Sequence, residues 1–323
     1  MGSSATQKRL ISKINSVYQK ALDDGFMDAK VLEILLASNL KKHVENDASM
    51  RRTRSRFFCC SVSVAVIAMM ATTYYMTLDP RCIIANNLVL QELARPAVSC
   101  DVCKDMFQVP TVNGDTFTRE EFLKDYAYNG IPLLVKGGAN NWTALQVFSY
   151  NYLKDLFVNT EGALEAVEFD CQFFPYKTKF LTLAEVFAMS EAQSRIDEGE
   201  EQWYVGWSNC NPDVTKQLRK HYKRPEFLPD NSESSNLDWL FMGGFGGGAN
   251  VHIDYVQRPS WQAMIAGKKS WSLIPSPECD SVCKPLNATM EKGDIILVDT
   301  NMWYHSTYIH PGEVSITIGS EYD

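Results

Sequence analysis

The stretch Gly243 to Trp271, GGFGGGANVHIDYVQRPSWQAMIAGKKSW, decides the fold. It reads as two β-strands, Asn250 to Tyr255 and Trp261 to Ile265, set between a glycine-rich turn and the turn Ala266-Gly267-Lys268. His252 and Asp254 stand two residues apart in the first strand, and alternate side chains of a strand share one face. An imidazole and a carboxylate so placed can reach one ion. Two histidines with one carboxylate occupy one face of an octahedron and leave the opposite face open, the arrangement that suits non-haem Fe(II). The second histidine is His305, which follows the apolar strand Ile295 to Val298 and a turn. Lys269 and Thr317 lie on later strands, and their ammonium and hydroxyl suit a dicarboxylate.

Outward from this stretch the pattern stays β, with further strands expected at Trp239 to Met242, Ser270 to Ile274 and Val314 to Gly319. Upstream, Ile131 to Val135, Ala166 to Phe169 and Gln202 to Trp207 read as strands. Thr118-Arg119-Glu120-Glu121 and Thr182-Leu183-Ala184-Glu185 are capping boxes that open short helices, and Asn211-Pro212 opens another. Short strands separated by turns predict a jelly roll, a mainly β fold with flanking helices. Gly244 to Ala249 also matches G-x-G-x-x-A. A dinucleotide site needs a helix next, whereas the following residues alternate like a strand and Arg258-Pro259 interrupts any helix.

These residues carry a resemblance to the Jumonji-C, cupin-like family of Fe(II)/2-oxoglutarate-dependent oxygenases, and within it to the lysyl-hydroxylase/arginine-demethylase branch. The resemblance runs from about Thr116 to the C-terminus and is densest from Trp239 onward. It implies a double-stranded β-helix with His252, Asp254 and His305 as iron ligands and 2-oxoglutarate as cosubstrate. It further implies that Lys269 pairs with the distal carboxylate, with Thr317 and Tyr204 as hydroxyl partners. Gln262 stands where the branch has asparagine and keeps an amide near the cosubstrate; Ala249 stands where relatives have threonine and loses a hydroxyl. The implied activity is hydroxylation of a protein side chain, with demethylation second. The competing expectation is a catalytically inactive, membrane-tethered binding or receptor protein. The last expected strand ends close to Asp323, so the C-terminal helices through which such relatives dimerise are not expected, and no oligomeric state is assigned.

Before this domain, expected over 99–323, the chain has a different character. Phe57 to Met76 is an uncharged run long enough for a helix to cross a bilayer, and Arg51, Arg52, Arg54 and Arg56 precede it. This predicts a transmembrane signal anchor with a cytosolic, helical or partly disordered segment over 1–56, a stem over 77–98, and type II topology. The folded domain is then lumenal, in the endoplasmic reticulum or Golgi, or extracellular. Of the 9 cysteines, Cys59 and Cys60 fall in the apolar run. Disulfides are expected among Cys82, Cys100, Cys103, Cys171, Cys210, Cys279 and Cys283, as an oxidising compartment favours. Asn141-Trp142-Thr143 and Asn287-Ala288-Thr289 are glycosylation sequons beyond the membrane. The net charge is −8, although residues 1–56 are net basic, so the remainder is more acidic still. Such a surface argues against a nucleic-acid partner, whose phosphates need Lys and Arg, and suits a basic peptide.

Overall fold

Along the central strands, apolar residues point alternately to two different cores, and that alternation sets the architecture. The structure, a computed structural model, describes residues 95–233 and 235–323 and, before them, Ser16 alone. The segment 1–56, the apolar run 57–76 and nearly all of the stem therefore lie outside the described residues. Among the described residues no helix is long and apolar enough to cross a membrane.

The strands are β1 (Thr111–Asn113), β2 (Leu133–Lys136), β3 (Phe173–Phe174), β4 (Tyr204–Asn209), β5 (Asp238–Gly243), β6 (Gly246–Gly247), β7 (Ser260–Ala266), β8 (Lys268–Ile274), β9 (Leu286–Glu291), β10 (Ile295–Val298), β11 (Tyr304–Ile309) and β12 (Ser315–Glu321). They form an eight-stranded sheet, β1-β2-β10-β7-β12-β5-β4-β3, and a four-stranded sheet, β6-β11-β8-β9. On β10, Ile295 and Leu297 enter a core shared with Phe122, Leu153, Phe157, Val186 and Leu218 of the helices. Ile296 and Val298 face the other way and pack with Trp271, Leu273, Leu286 and Met290 of the small sheet. The large sheet is thus covered by helices on one face and by the small sheet on the other. This mainly β arrangement with some helices is consistent with a jelly roll. Each large apolar side chain so buried contributes roughly 1.5–3 kcal/mol.

The parity that separates the two cores also selects what enters the space between the sheets. Ile316 and Ile318 of β12 join the helix-side core, so Thr317 points inward; Val205 and Trp207 do the same on β4, which turns Tyr204 inward. On β8, Lys269 has the parity of the buried Trp271 and Leu273.

Several expected elements form as read. Thr118 caps the helix Arg119–Asp125 with a complete capping box, Thr182 caps Leu183–Phe187, and Asn211 caps Pro212–Leu218. Two expectations are corrected. Ala166 to Phe169 is not a strand but the end of the helix Ala163–Phe169, where Ala163 and Val167 are buried one turn apart. Four residues are too few for periodicity to separate the two structures. Asn250 to Tyr255 is likewise not a continuous strand. Gly248 and Ala249 pair with Thr307, His252 pairs with His305, and Asn250-Val251 together oppose Ser306 alone. Between the pairs Gly247–Tyr308 and His252–His305, the four residues 248–251 thus face only Thr307 and Ser306, and these two extra residues make a β-bulge that breaks the ladder and re-aims the chain. At Gly248 a Cβ would lie 2.3 Å from Thr307 Oγ1, so this close approach requires glycine. No helix follows Ala249.

Three disulfides join Cys100 to Cys279, Cys103 to Cys283 and Cys171 to Cys210. Cys82 lies outside the described residues. The first two close loops of 179 and 180 residues between the same two short segments. If either is removed, the other still holds the long loop, so only a small ring of about nine residues opens, at about 2–3 kcal/mol on the chain-entropy model. Losing both opens the whole loop as well, for a total of about 8 kcal/mol. Denaturant unfolding of the Cys100→Ser/Cys279→Ser, the Cys103→Ser/Cys283→Ser and the fourfold variants should therefore show a fourfold loss that exceeds the sum of the two double losses.

Candidate metal centre

The single backbone pair between His252 and His305 sets their imidazoles side by side, with ring centroids 4.2 Å apart. Each Nδ1 meets a backbone carbonyl two residues earlier, that of Asn250 at 2.7 Å and that of Trp303 at 3.1 Å. A carbonyl only accepts, so each Nδ1 donates and each Nε2 lone pair is left for a ligand. Asp254 completes the group, with Oδ1 3.4 Å from His252 Nε2 and Oδ2 3.8 Å from His305 Nε2. Its backbone N–H donates to the Thr300 carbonyl at 2.9 Å, which pins the carboxylate against the turn before His305. One ligand atom from each residue falls within 4.8 Å of the others.

The electrostatics suit a cation. Burial pushes His305 down to about 4, outweighing the nearby Asp254 charge, so it is a neutral donor at physiological pH. Burial also lowers His252, but the hydrogen bond and charge of Asp254, with the Asn250 carbonyl, together raise it. Burial raises Asp254, and the His252 hydrogen bond with the two imidazoles overcomes this and holds the carboxyl below its usual range. A divalent cation would replace this proton-sharing with direct coordination.

Beside the triad lies Lys269, 1% exposed. Its Nζ donates to Gln262 Oε1 at 2.6 Å and sits 5.0, 5.2 and 5.7 Å from the ring centroids of Phe241, Trp271 and Tyr204. Burial pulls its ammonium down to about 7. Among the described residues, Thr317 Oγ1 and Trp271 Nε1 are buried without a hydrogen-bond partner, and the buried Tyr204 hydroxyl has only Thr307 beside it. Burial pushes the Tyr204 phenol far up, so it stays protonated and can donate. A buried cation surrounded by unused donors is a receptor for an acid.

The structure thus brings His252, Asp254 and His305 into one group, and Lys269, Gln262, Thr317 and Tyr204 onto inward-facing positions of both sheets. Trp271 is a residue that the motif reading passed over. Its ring stacks on His305 at 5.4 Å, so it links the two halves of the site. The signal was available, since Trp271 follows Lys269 by two residues on β8 and so shares its face. Thr307 was passed over as well. Its Oγ1 accepts from the Ala249 N–H at 2.9 Å, which puts a hydroxyl where Ala249 has none.

Lys269 gives a pH prediction for the protein without added ligand. Its folded value, about 7, lies below the ordinary 10.5, so the unfolded chain binds more protons across that window. Stability contributed through this group therefore rises with pH from about 7 to 10.5, and the penalty is full below 7, on the order of 5 kcal/mol. Lys269→Met should be the more stable protein at pH 6 to 7, with its advantage shrinking toward pH 10. Denaturant midpoints of both proteins across pH check this; an advantage independent of pH would rule it out.

No family model matches the chain. It is 24% identical over 192 residues to the bifunctional arginine demethylase and lysyl-hydroxylase of Caenorhabditis elegans, an alignment covering 57% of this chain and 45% of that protein. It is 24% identical over 162 residues to an arginine-specific demethylase of Arabidopsis thaliana, covering 48% of this chain and 29% of the relative. A 2-oxoglutarate and iron-dependent oxygenase of Danio rerio is 26% identical over 115 residues, 27% of each chain. The chain spans less than half the length of these relatives. At this low identity, and with two imidazoles and a carboxylate converging beside a buried lysine, the chain is related to the Jumonji-C oxygenases.

Proposed function

We propose that the domain is an iron(II)- and 2-oxoglutarate-dependent oxygenase that hydroxylates a protein side chain. One observation carries this reading: a fully buried lysine without a carboxylate partner shares the inter-sheet space with three converging metal donors. His252, Asp254 and His305 would hold the iron, with Asp254 balancing part of its charge. Lys269 would neutralise the distal carboxylate of 2-oxoglutarate, and the Tyr204 and Thr317 hydroxyls would donate to it. Phe241 and Trp271 exclude water from this contact, which strengthens the charge pairing. When bound, iron and 2-oxoglutarate supply oxidative decarboxylation to succinate and CO2 coupled to oxygenation of a C–H bond by dioxygen. The double-stranded β-helix of cupin-like oxygenases is the finer fold that accommodates both sheets.

His252 and Asp254 are half-exposed, and their chain neighbours Val251, Tyr255 and Val256 are exposed. A protein or peptide side chain would reach the iron there. We place the domain on a single-pass type II membrane protein, facing a secretory lumen or the cell exterior. Three disulfides and the exposed sequon residues Asn141 and Asn287 support this placement.

The test is anaerobic titration of Mn(II) and 2-oxoglutarate into the full chain and its variants, followed by succinate measurement in air. His252→Ala, His305→Ala and Asp254→Ala should each lose metal affinity and coupled turnover. Lys269→Ala should keep the metal and weaken 2-oxoglutarate by about two to four orders of magnitude, since stranding one partner of a buried ion pair costs roughly 3–5 kcal/mol. Unchanged metal binding in all three ligand variants would reject the oxygenase reading. Metal and acid binding without succinate would favour a non-catalytic binder.

A further inference from the structure

We infer that Gln262 acts as a built-in stand-in for the cosubstrate carboxylate: it occupies Lys269 while the site is empty and must be displaced from it when 2-oxoglutarate binds. The inference rests on the proposed cosubstrate and deepens it. Gln262 is on β7 of the large sheet and Lys269 on β8 of the small one, so their hydrogen bond at 2.6 Å spans the space between the sheets. Thr317 Oγ1 and Trp271 Nε1, unpaired among the described residues, and the buried Tyr204 hydroxyl beside Thr307 face the same space. An acid drawn by these donors meets an amide oxygen already seated on the ammonium.

The side chain is built into this position. Opposite Gln262 in the ladder stands Gly319 on β12. A Cβ at 319 would lie 2.4 Å from the Trp261 carbonyl oxygen, 3.2 Å from Gln262 Cα and 3.3 Å from its Cγ, so the close backbone approach requires glycine and the glutamine stem packs against it. Glutamine is also the length that matters. An asparagine at 262 is one methylene shorter and falls short of a 2.6 Å contact made by the tip of the longer side chain.

The amide makes two opposed contributions. An ammonium with no acceptor in an apolar space costs far more than one with a neutral acceptor, so Gln262 stabilises the empty protein. The same contact has to be given up, or shared, when a carboxylate arrives. Affinity for the acid is thereby lowered, and occupancy comes to depend on its concentration over a higher range. Gln262 is in this account a positioning residue, acting through Lys269.

The experiment measures 2-oxoglutarate affinity by calorimetry on the Mn(II)-loaded full chain, and thermal stability without the acid, for wild type, Gln262→Asn, Lys269→Met and the double variant. Gln262→Asn should bind 2-oxoglutarate about 10- to 100-fold more tightly, the range that a hydrogen bond to a charged group carries, while melting at a lower temperature when empty. In the Lys269→Met background the same exchange should no longer lower the melting temperature. Equal or weaker acid binding by a folded Gln262→Asn protein would overturn the inference and leave the oxygenase reading standing, since it would make Gln262 an ordinary contact of the acid. Absence of 2-oxoglutarate binding by wild type would instead remove the cosubstrate reading and this inference with it.

Discussion

An ammonium group held between two sheets, with one neutral acceptor and three aromatic faces around it, is the feature on which the acid-binding half of the structure depends. Three aromatic faces give Lys269 some electrostatic compensation, and the Gln262 oxygen gives one hydrogen bond, but an ammonium has three donors. Such a group survives in a fold only where other burial outweighs it. Here the large sheet supplies that surplus through the helix-side core, which contains Trp203, Trp207, Phe157 and Phe187. The inner face can then be polar because the outer face is almost wholly apolar.

The metal half depends on a different constraint, the placement of backbone. His252 and His305 meet because their own main chains pair, N–H to carbonyl in both directions at 3.0 and 2.8 Å. The bulge over residues 248–251 sits immediately before that pair and ends the regular ladder. The chain beyond it is then tied to the turn that precedes His305, by the Asp254 N–H to the Thr300 carbonyl, by the Gln257 N–H to Asn301 Oδ1 at 2.8 Å, and by Asn301 Nδ2 to the Arg258 carbonyl at 3.0 Å. Two irregular segments therefore brace each other at the mouth of a regular sandwich. Main-chain hydrogen bonds thus fix where His252, Asp254 and His305 stand.

Much of this was legible in the chain, and the parts that were not have physical causes. The central strands could be read because β7 and β10, buried on both faces, are short runs dominated by apolar residues, and helix starts because Thr118, Thr182 and Asn211 cap them with side-chain oxygens. The strands β9 and β11 were not read although the signal was present, since buried residues alternate with more exposed ones along both, as Leu286, Ala288 and Met290 do along Leu286–Glu291. The bulge escaped because it is a property of a pair of strands, and its partners Ser306 and Thr307 lie far along the chain. The triad was legible from residue type and spacing, yet the free Nε2 atoms were not, since the Asn250 and Trp303 carbonyls that set the tautomers have no side-chain signature. The Lys269 to Gln262 contact was hidden for a similar reason, because it crosses between sheets whose facing is a tertiary fact.

A site with these parts bears on the choice between an enzyme and a binding protein of similar shape. Capture of an acid alone would need Lys269 and the unused hydroxyls, and would be served as well by an arginine that keeps its charge and forks to a carboxylate. It would not require two imidazoles with both Nδ1 protons committed to carbonyls, nor a carboxylate held within 4 Å of both Nε2 atoms, an arrangement that costs desolvation and leaves lone pairs facing one another. That cost has a use only where a cation joins the three. The ring of Trp271 spans the distance between the imidazole pair and the buried lysine, stacked on His305 at one side and facing the Lys269 ammonium at the other. The two halves are consequently adjacent, as a reaction needing both metal and acid requires.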